Sequence, residues 1–397
     1  MQFSSDNVTG AHPALIDALV QANGGAAMPY GNDPLTEGVE ARIRTLFEAP
    51  RARVFLVATG TAANAIALAS MCPPWGAIYC HGLAHIEEDE CNAPEFFTGG
   101  AKLTHVDGPH ATVAAERLAA RLGGAGAGNV HNAQPGAVSI TQATERGAVY
   151  TPDAVARLAE IAHARGLALH MDGTRFANAV AATGASPAAL SHRSGVDVLC
   201  LGATKCAAMA AEAIVLFEPD AAPGRAWEIA LRRKRGGHLL SKMRFVSAQM
   251  AAWLDDGLWL SLAAHANAMA ARLRAGLASP AARAAGLRVV SPPDANLTFV
   301  TMPEPVHRAL QAAGARYYAG PEGAEDSAAD APDPAAAVGA APVAAPMAAR
   351  GDTCGGTRVA ARLVTSWATT EAEVDAFLAT VAAAAPVPDP VTAPAAG

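Results

Sequence analysis

The sequence predicts an α/β protein built on a mostly parallel sheet, followed by a smaller α+β unit toward the C-terminus. Three observations carry that prediction. Short apolar, β-branched runs alternate with helical runs over the first 280 residues. One of them, Val196-Asp197-Val198-Leu199-Cys200-Leu201, is closed by Gly202 and reads as a buried strand. Finally Thr61, His85, Asp172 and Lys205 each follow such a run, and parallel sheets bind ligands at the C-terminal ends of their strands.

At 397 residues and 51% hydrophobic content, the chain is long enough for a large domain and a smaller one, which excludes a disordered or fibrous protein. The net charge of −7 removes any global case for binding nucleic acid or an anionic membrane surface. Six cysteines form no CxxC pair and no zinc spacing, so free thiols in a reducing cytoplasm are expected. The opening MQFSSDNVTG has no basic or apolar signal region, and Asn64, Lys205, Glu212 or His265 interrupts each long apolar stretch. A cytoplasmic, soluble protein without a membrane span is the expectation.

In chain order, Pro13 opens a short helix that Gly24-Gly25 closes, flanked by two polar turns, Ser4-Ser5-Asp6-Asn7 and Tyr30-Gly31-Asn32-Asp33. A strand at 54–58 leads through Thr59-Gly60-Thr61 into a helical run at 65–69. A Gly-containing turn at a helix N-terminus can hold an anion, because its N–H groups are unpaired and the helix dipole favours negative charge. On sequence alone, Thr61 serves equally well as an ordinary helix cap. Strands are expected at 77–80, 103–106 and 137–141, with a helix near 111–122. After the first of these strands, His85 is placed to face a planar ligand or move protons, while Glu87 to Glu90 reads as a solvated helix face without metal-ligand spacing.

Thr151-Pro152-Asp153 caps the next helix, and the strand from Leu167 delivers Asp172 and then Arg175. Lys205 lies on the turn after the 196–201 strand. Desolvation there favours the neutral amine that a Schiff-base lysine needs, although a surface lysine at a strand end has the same local sequence. A strand at 213–217, a basic segment from Arg232 to Arg244, and Ala-rich helix over 247–277 with Trp253, Trp259 and Leu262 in the core complete the large unit, taken as 1–280. The small unit, taken as 281–385, opens with a strand at 296–300. An Ala/Pro-rich insert spans about 319–356. Order resumes at a strand carrying Arg358 and Arg362 on one face, a Thr370/Glu373 capping box starts the last helix, and a loose tail covers 386–397.

A lysine that carries pyridoxal 5′-phosphate needs an N–H nest for the phosphate and a carboxylate for the pyridine nitrogen, and Gly60 with Thr61, and Asp172, are of the right types. An amino-acid substrate needs its carboxylate held, and Arg175 and Arg362 are the candidates. The segments SSDNVTGAHP, YGNDPLTEG, ATGTAANAIAL, HIEEDECNAPEFFTGGAKL, SITQATERGAVY, HMDGTRFANAV, LGATKCAAMAAEA, KRGGHLLSKMRFVSAQ and RLVTSWATT together resemble the low-specificity L-threonine aldolase family over nearly the whole chain.

That resemblance implies an aspartate aminotransferase-like fold (pyridoxal phosphate fold type I) and an enzyme that cleaves L-threonine, L-allo-threonine and related β-hydroxy-α-amino acids to glycine and an aldehyde such as acetaldehyde. Carried over by motif, Lys205 is the Schiff-base lysine, Asp172 pairs with the pyridine nitrogen, Gly60 and Thr61 bind phosphate, and His85 stacks on the ring. Ser5, Arg175 and Arg362 match positions that hold the substrate carboxylate, Arg175 also bordering the cofactor. A homotetramer is implied, with the KRGG segment reaching a neighbour's phosphate. The base that acts on the β-hydroxyl is His85 or a water beside it. Two departures stand out: Thr144-Glu145-Arg146 occupies a segment where some members carry a second histidine, and the insert separates Arg362 from the start of its unit. The competing readings are a phenylserine-type aldolase, β-elimination, transamination, and a catalytically idle protein of the same fold.

Overall fold

The computed structural model describes residues 1–292, 294–321 and 358–384. The expected insert lies outside the described residues except for Ala319 to Pro321, and the expected tail lies wholly outside them.

Seven strands form the main sheet: β1 (Arg53–Val57), β2 (Gly76–Cys80), β3 (Lys102–His105), β4 (Gln134–Thr141), β5 (Ala168–Gly173), β6 (Val198–Gly202) and β7 (Glu212–Leu216). Their order across the sheet is β1-β7-β6-β5-β4-β2-β3, and only β7 runs antiparallel to its neighbours. Both faces are covered, which is why the strands read as continuous apolar runs. In β6, Leu199 and Leu201 pack into one hydrophobic cluster while Val198 and Cys200 pack into another on the opposite face.

The helices between strands start where capping chemistry allows. Thr59, rather than Thr61, caps the helix Gly60–Ala69 by accepting a hydrogen bond from Ala62 N–H. Thr151 does the same for Pro152–His163. The helix expected near 111–122 begins at Ala115, after a turn with positive φ at His110 and Ala111. At the end of β6, a Cβ on Gly202 would lie 2.7 Å from Thr174 Cα and 2.8 Å from Glu212 Oε2, so only glycine lets three rim segments meet there.

A second, antiparallel sheet joins β8 (Arg288–Val289), β9 (Leu297–Pro303), β10 (Tyr318–Pro321) and β11 (Arg358–Val364) in the order β10-β11-β9-β8. Ala319 to Pro321, expected within the insert, belong to β10. The Thr370/Glu373 capping box forms as expected. The N-terminal arm packs here: Phe3 is fully buried beside Leu273, Val300, Leu363 and Phe377, and it exchanges backbone hydrogen bonds with Arg316 and Val364. The helix Leu258–Leu277 serves both bodies, giving Trp259 and Leu262 to the large cluster and Leu273 and Leu277 to the small one. Among the described residues, no helix is long and apolar enough to cross a membrane.

Candidate active site

Strand ends converge on one rim. β1 leads to Thr59-Gly60-Thr61, β2 to His85, β4 to Glu145, β5 to Asp172 and Thr174, and β6 to Lys205 on the single turn Thr204–Cys206. Two cavities meet at this rim and share Asn7, His85 and Lys205. One, of about 360 Å³, is walled by Gly60, Thr61, Thr174, Thr204 and Glu212. The other, of about 190 Å³, is walled by Ser5, Asp89, Glu145, Arg175, Tyr318 and Arg362. A larger cavity of about 590 Å³ lies between the helices Pro13–Ala22 and Arg244–Leu254; half of its lining is alanine, and it carries no lysine or histidine.

Lys205 opens onto both smaller cavities while protein packs around its stem. That burial, with the neighbouring Arg175 charge, pulls its amine below the ordinary lysine value against the opposing pull of Asp6, Asp172 and Glu212. A lysine in this setting is readily deprotonated and nucleophilic.

Asp172 is buried one hydrogen bond behind the wall of the larger cavity. Its Oδ1 accepts from Thr174 N–H at 2.9 Å and from the Thr174 hydroxyl, and its Oδ2 accepts from Asn64 Nδ2 at 2.8 Å. Burial alone would raise its pKa, but His85, Thr174 and Lys205 hold it below the ordinary carboxylate value. The same Asn64 amide donates to Glu90 Oε1 at 2.9 Å, and Glu90 Oε1 also bonds His85 Nδ1 at 3.0 Å. Glu90 is thus buried, not part of a solvated face; burial pushes its carboxyl up against the pull of His85, with Asp172 adding to the rise. Two carboxylates bridged by one amide are driven apart in proton affinity, which keeps Asp172 the anionic member. The donor atoms of His85, Glu90 and Asp172 lie within 4.8 Å of one another, but the Asn64 N–H groups already occupy the gap between the carboxylates, where a cation would sit.

Glu212 enters the site from the first residue of β7. Burial pushes its carboxyl up to about 8, against a hydrogen bond from Thr204 and the charge of Lys205.

In the smaller cavity Arg175 is paired with Asp6, Nε to Oδ2 at 2.8 Å and Nη2 to Oδ1 at 3.1 Å, and Asn296 Nδ2 reaches the same Oδ2 at 3.3 Å. Ser5 Oγ accepts from Asn7 N–H at 3.1 Å. Arg362, opposite Tyr318 in the β10–β11 register, lies 4.7 Å over the Tyr318 ring and donates to Ser4 O at 3.5 Å. The structure therefore brings together all eight residues picked from the sequence: Ser5, Gly60, Thr61, His85, Asp172, Arg175, Lys205 and Arg362. Asn64, Glu90 and Glu212 join them, as does Asp6 from the polar turn Ser4-Ser5-Asp6-Asn7. The basic segment lines neither cavity; Lys234 instead lies 4.4 Å over the Tyr30 ring. Cys91 is exposed, while Cys72, Cys80, Cys200 and Cys206 are buried free thiols; Cys354 lies outside the described residues.

The profile of the beta-eliminating lyase family matches residues 2–304. The low specificity L-threonine aldolase of Pseudomonas sp. (strain NCIMB 10558) is 41% identical over 319 residues, covering 80% of this chain and 88% of the relative. The enzyme of the same name from Pseudomonas aeruginosa is 41% identical over 321 residues, with the same coverage. Among solved structures, Leishmania major threonine aldolase superposes with a TM-score of 0.79 at 26% identity, covering 96% of this chain and 98% of that one. Sphingomonas wittichii serine palmitoyltransferase, at 13% identity and a TM-score of 0.64 over 97% of this chain and 86% of that one, shares the fold alone. With this profile match, this identity and the strand-end site behind them, the chain belongs to the beta-eliminating lyase family, among the low-specificity L-threonine aldolases.

Proposed function

We propose that the protein binds pyridoxal 5′-phosphate in the larger of the two linked cavities and cleaves L-threonine, L-allo-threonine and related β-hydroxy-α-amino acids to glycine and an aldehyde. The observation that carries this reading is the position of Lys205, shared between a cavity with a helix N-terminus at one wall and a cavity lined by two arginines. The residues present suit the cofactor. The first turn of Gly60–Ala69 offers the N–H groups of Gly60 and Thr61 to a phosphate, Lys205 offers an amine that loses its proton more readily than an ordinary lysine for covalent attachment, and Asp172 stays ionised to pair with the pyridine nitrogen. His85, anchored through Nδ1 by Glu90, would lie against the ring face.

Bound there, the cofactor supplies an electron-poor ring that accepts the electron pair of the bond broken at the substrate α carbon. The protein decides which bond that is. Ser5, Arg175 and Arg362 would hold the substrate carboxylate, Arg175 being braced by Asp6, and this clamp would select the α–β bond for cleavage. The small volume of the cavity, about 190 Å³, favours a short substrate side chain.

The same reading divides the chain at 280/281 into a large cofactor-binding unit with the arm and a small C-terminal unit, places it in the cytoplasm, and assembles it as a homotetramer in which the KRGG segment reaches a neighbour's phosphate. The exposed Phe96, Trp227 and Leu231 side chains support self-association. The test is to add L-threonine and L-allo-threonine to cofactor-loaded protein and assay both products. Equimolar glycine and acetaldehyde are expected. Keto acid or ammonia in their place would assign transamination or elimination, and no spectral response to either amino acid would leave an idle protein.

A further inference from the structure

Resting on that reading, we propose that Glu145, which lines the smaller cavity, is the catalytic base of the cleavage: its carboxylate takes the proton of the substrate β-hydroxyl. The polar groups around the smaller cavity reach this assignment by their commitments. Lys205 serves the cofactor, and Arg175 and Arg362 are cations facing the substrate carboxylate. Asp89 is exposed, so water competes for it. Ser5 Oγ already accepts from Asn7, and His85, anchored through Nδ1 by Glu90, is given to the cofactor ring in that reading. Glu145 is different. Its Oε1 accepts His85 N–H at 2.8 Å, which fixes the carboxyl plane at the cavity wall. Its Oε2 finds no partner within hydrogen-bond geometry among the described residues, while the Thr141 hydroxyl acts on the carboxyl as a whole and helps to stabilise its charge.

The position is also rigid. Gln142 N–H bonds Asp172 O at 2.8 Å, and the Gln142 side chain brackets Tyr150 with bonds of 2.9 Å and 3.0 Å. The Thr144 hydroxyl donates to His110 O at 2.8 Å and accepts from Ala148 N–H at 3.0 Å. A base held this way costs little reorganisation when the reaction begins. Burial raises the Glu145 carboxyl above its ordinary value, with hydrogen bonds from its own backbone, Thr141 and His85 opposing, and this makes it a stronger proton acceptor than an exposed glutamate.

The step balances without a co-reactant. The β-oxygen loses its proton to Glu145 as its electron pair forms the aldehyde C=O, the α–β bond breaks with its pair passing to the cofactor, and the α carbon takes up one proton to give glycine. No net proton is consumed.

The test is the variant Glu145→Gln, which keeps an oxygen for His85 N–H but cannot accept a proton. Two rates are measured on cofactor-loaded protein: cleavage of L-threonine and L-allo-threonine, and exchange of the glycine α proton in D2O, which needs no β-hydroxyl base. The expected result is a fall in cleavage of about 100-fold or more with glycine exchange within about threefold of wild type. Glu145→Asp, which retracts the carboxylate, is expected to lower the same ratio at least about tenfold, so the test stands on either variant. Cleavage within about threefold of wild type, or equal losses in both reactions, would overturn the assignment while leaving the function intact. A wild-type protein that cleaves neither epimer would instead overturn the function on which the assignment rests.

Discussion

The two cavities that meet at Lys205 are assembled differently. The larger draws its chemistry from strand ends of one sheet: Gly60 and Thr61 after β1, His85 after β2, Thr174 after β5 and Lys205 itself after β6. The smaller is closed by parts distant in sequence: Ser5 and Asn7 from the arm, Glu145 from the loop after β4, and Leu297, Tyr318 and Arg362 from the small sheet. The first takes only Asn7, which the two share, from outside the large sheet and its connections. The second also needs the arm and the small sheet to dock, which Phe3 accomplishes by burial and Asp6 by bonding Arg175 and Asn296 at once. Damage to the two should therefore look different.

The largest expected effect comes from Lys205→Ala, which removes the group common to both cavities. We expect no turnover above background and loss of the absorbance of the lysine-linked cofactor, with the far-UV dichroism and thermal transition retained. Activity in this variant would break the assignment of the rim.

Next come the two arginines, which the sequence alone treats alike. Arg362→Ala is expected to raise the apparent KM by about 10- to 100-fold, the equivalent of one or two charge-assisted hydrogen bonds, with cofactor still bound. Arg175→Ala leaves the buried Asp6 carboxylate without its bidentate partner, so a loss of about 3–5 kcal/mol of stability is expected beside any kinetic effect. Equal stabilities of the two variants in urea unfolding would show that the Asp6–Arg175 pair does not fasten the arm. Burial raises the Asp6 pKa, but Arg175 and Lys205 more than offset it and hold it below the ordinary value. Its contribution is therefore present above the ordinary aspartate range and lost only as pH falls through the lowered value.

This contrast also explains what was legible in the sequence. A buried run followed by a polar residue marks a strand end, so the sequence alone sets Thr61, His85, Asp172 and Lys205 on one rim. Glu212 escaped because β7 is antiparallel: its first residue, paired with Gly202 and Val57, reaches the rim that the other strands reach with their last. Glu90 escaped because the acidic run resembles a solvated helix. In fact the helix His85–Glu88 is a single turn, and positive φ at Cys91 and Asn92 accompanies a chain reversal that leaves Glu90 pointing inward. The partner of Arg175 was hidden for another reason. Asp6 lies 169 residues away, and its approach depends on Phe3 docking in the small sheet, a contact that no local pattern reports.

The smallest expected effect sharpens the comparison by pH. Glu212 faces Lys205, Asp172 and Thr204 in the larger cavity, and burial lifts its carboxyl from the ordinary 4.5 to about 8. Between those values the native protein keeps a proton that the unfolded chain has released. The native state therefore binds more protons, and stability declines as pH rises through this window. Glu212→Gln cannot ionise and removes the decline, so the variant should gain on wild type from about pH 5 upward, reaching on the order of a few kcal/mol near pH 8. Thermal unfolding of the cofactor-stripped proteins, in which Lys205 keeps its free amine, reads this directly. A Tm difference that stays constant across the window would place the ionisation elsewhere. A difference that grows with pH would show that the sheet-built cavity loses stability toward alkaline pH, whereas the arm-closed cavity, fastened by Asp6, loses its own only in acid.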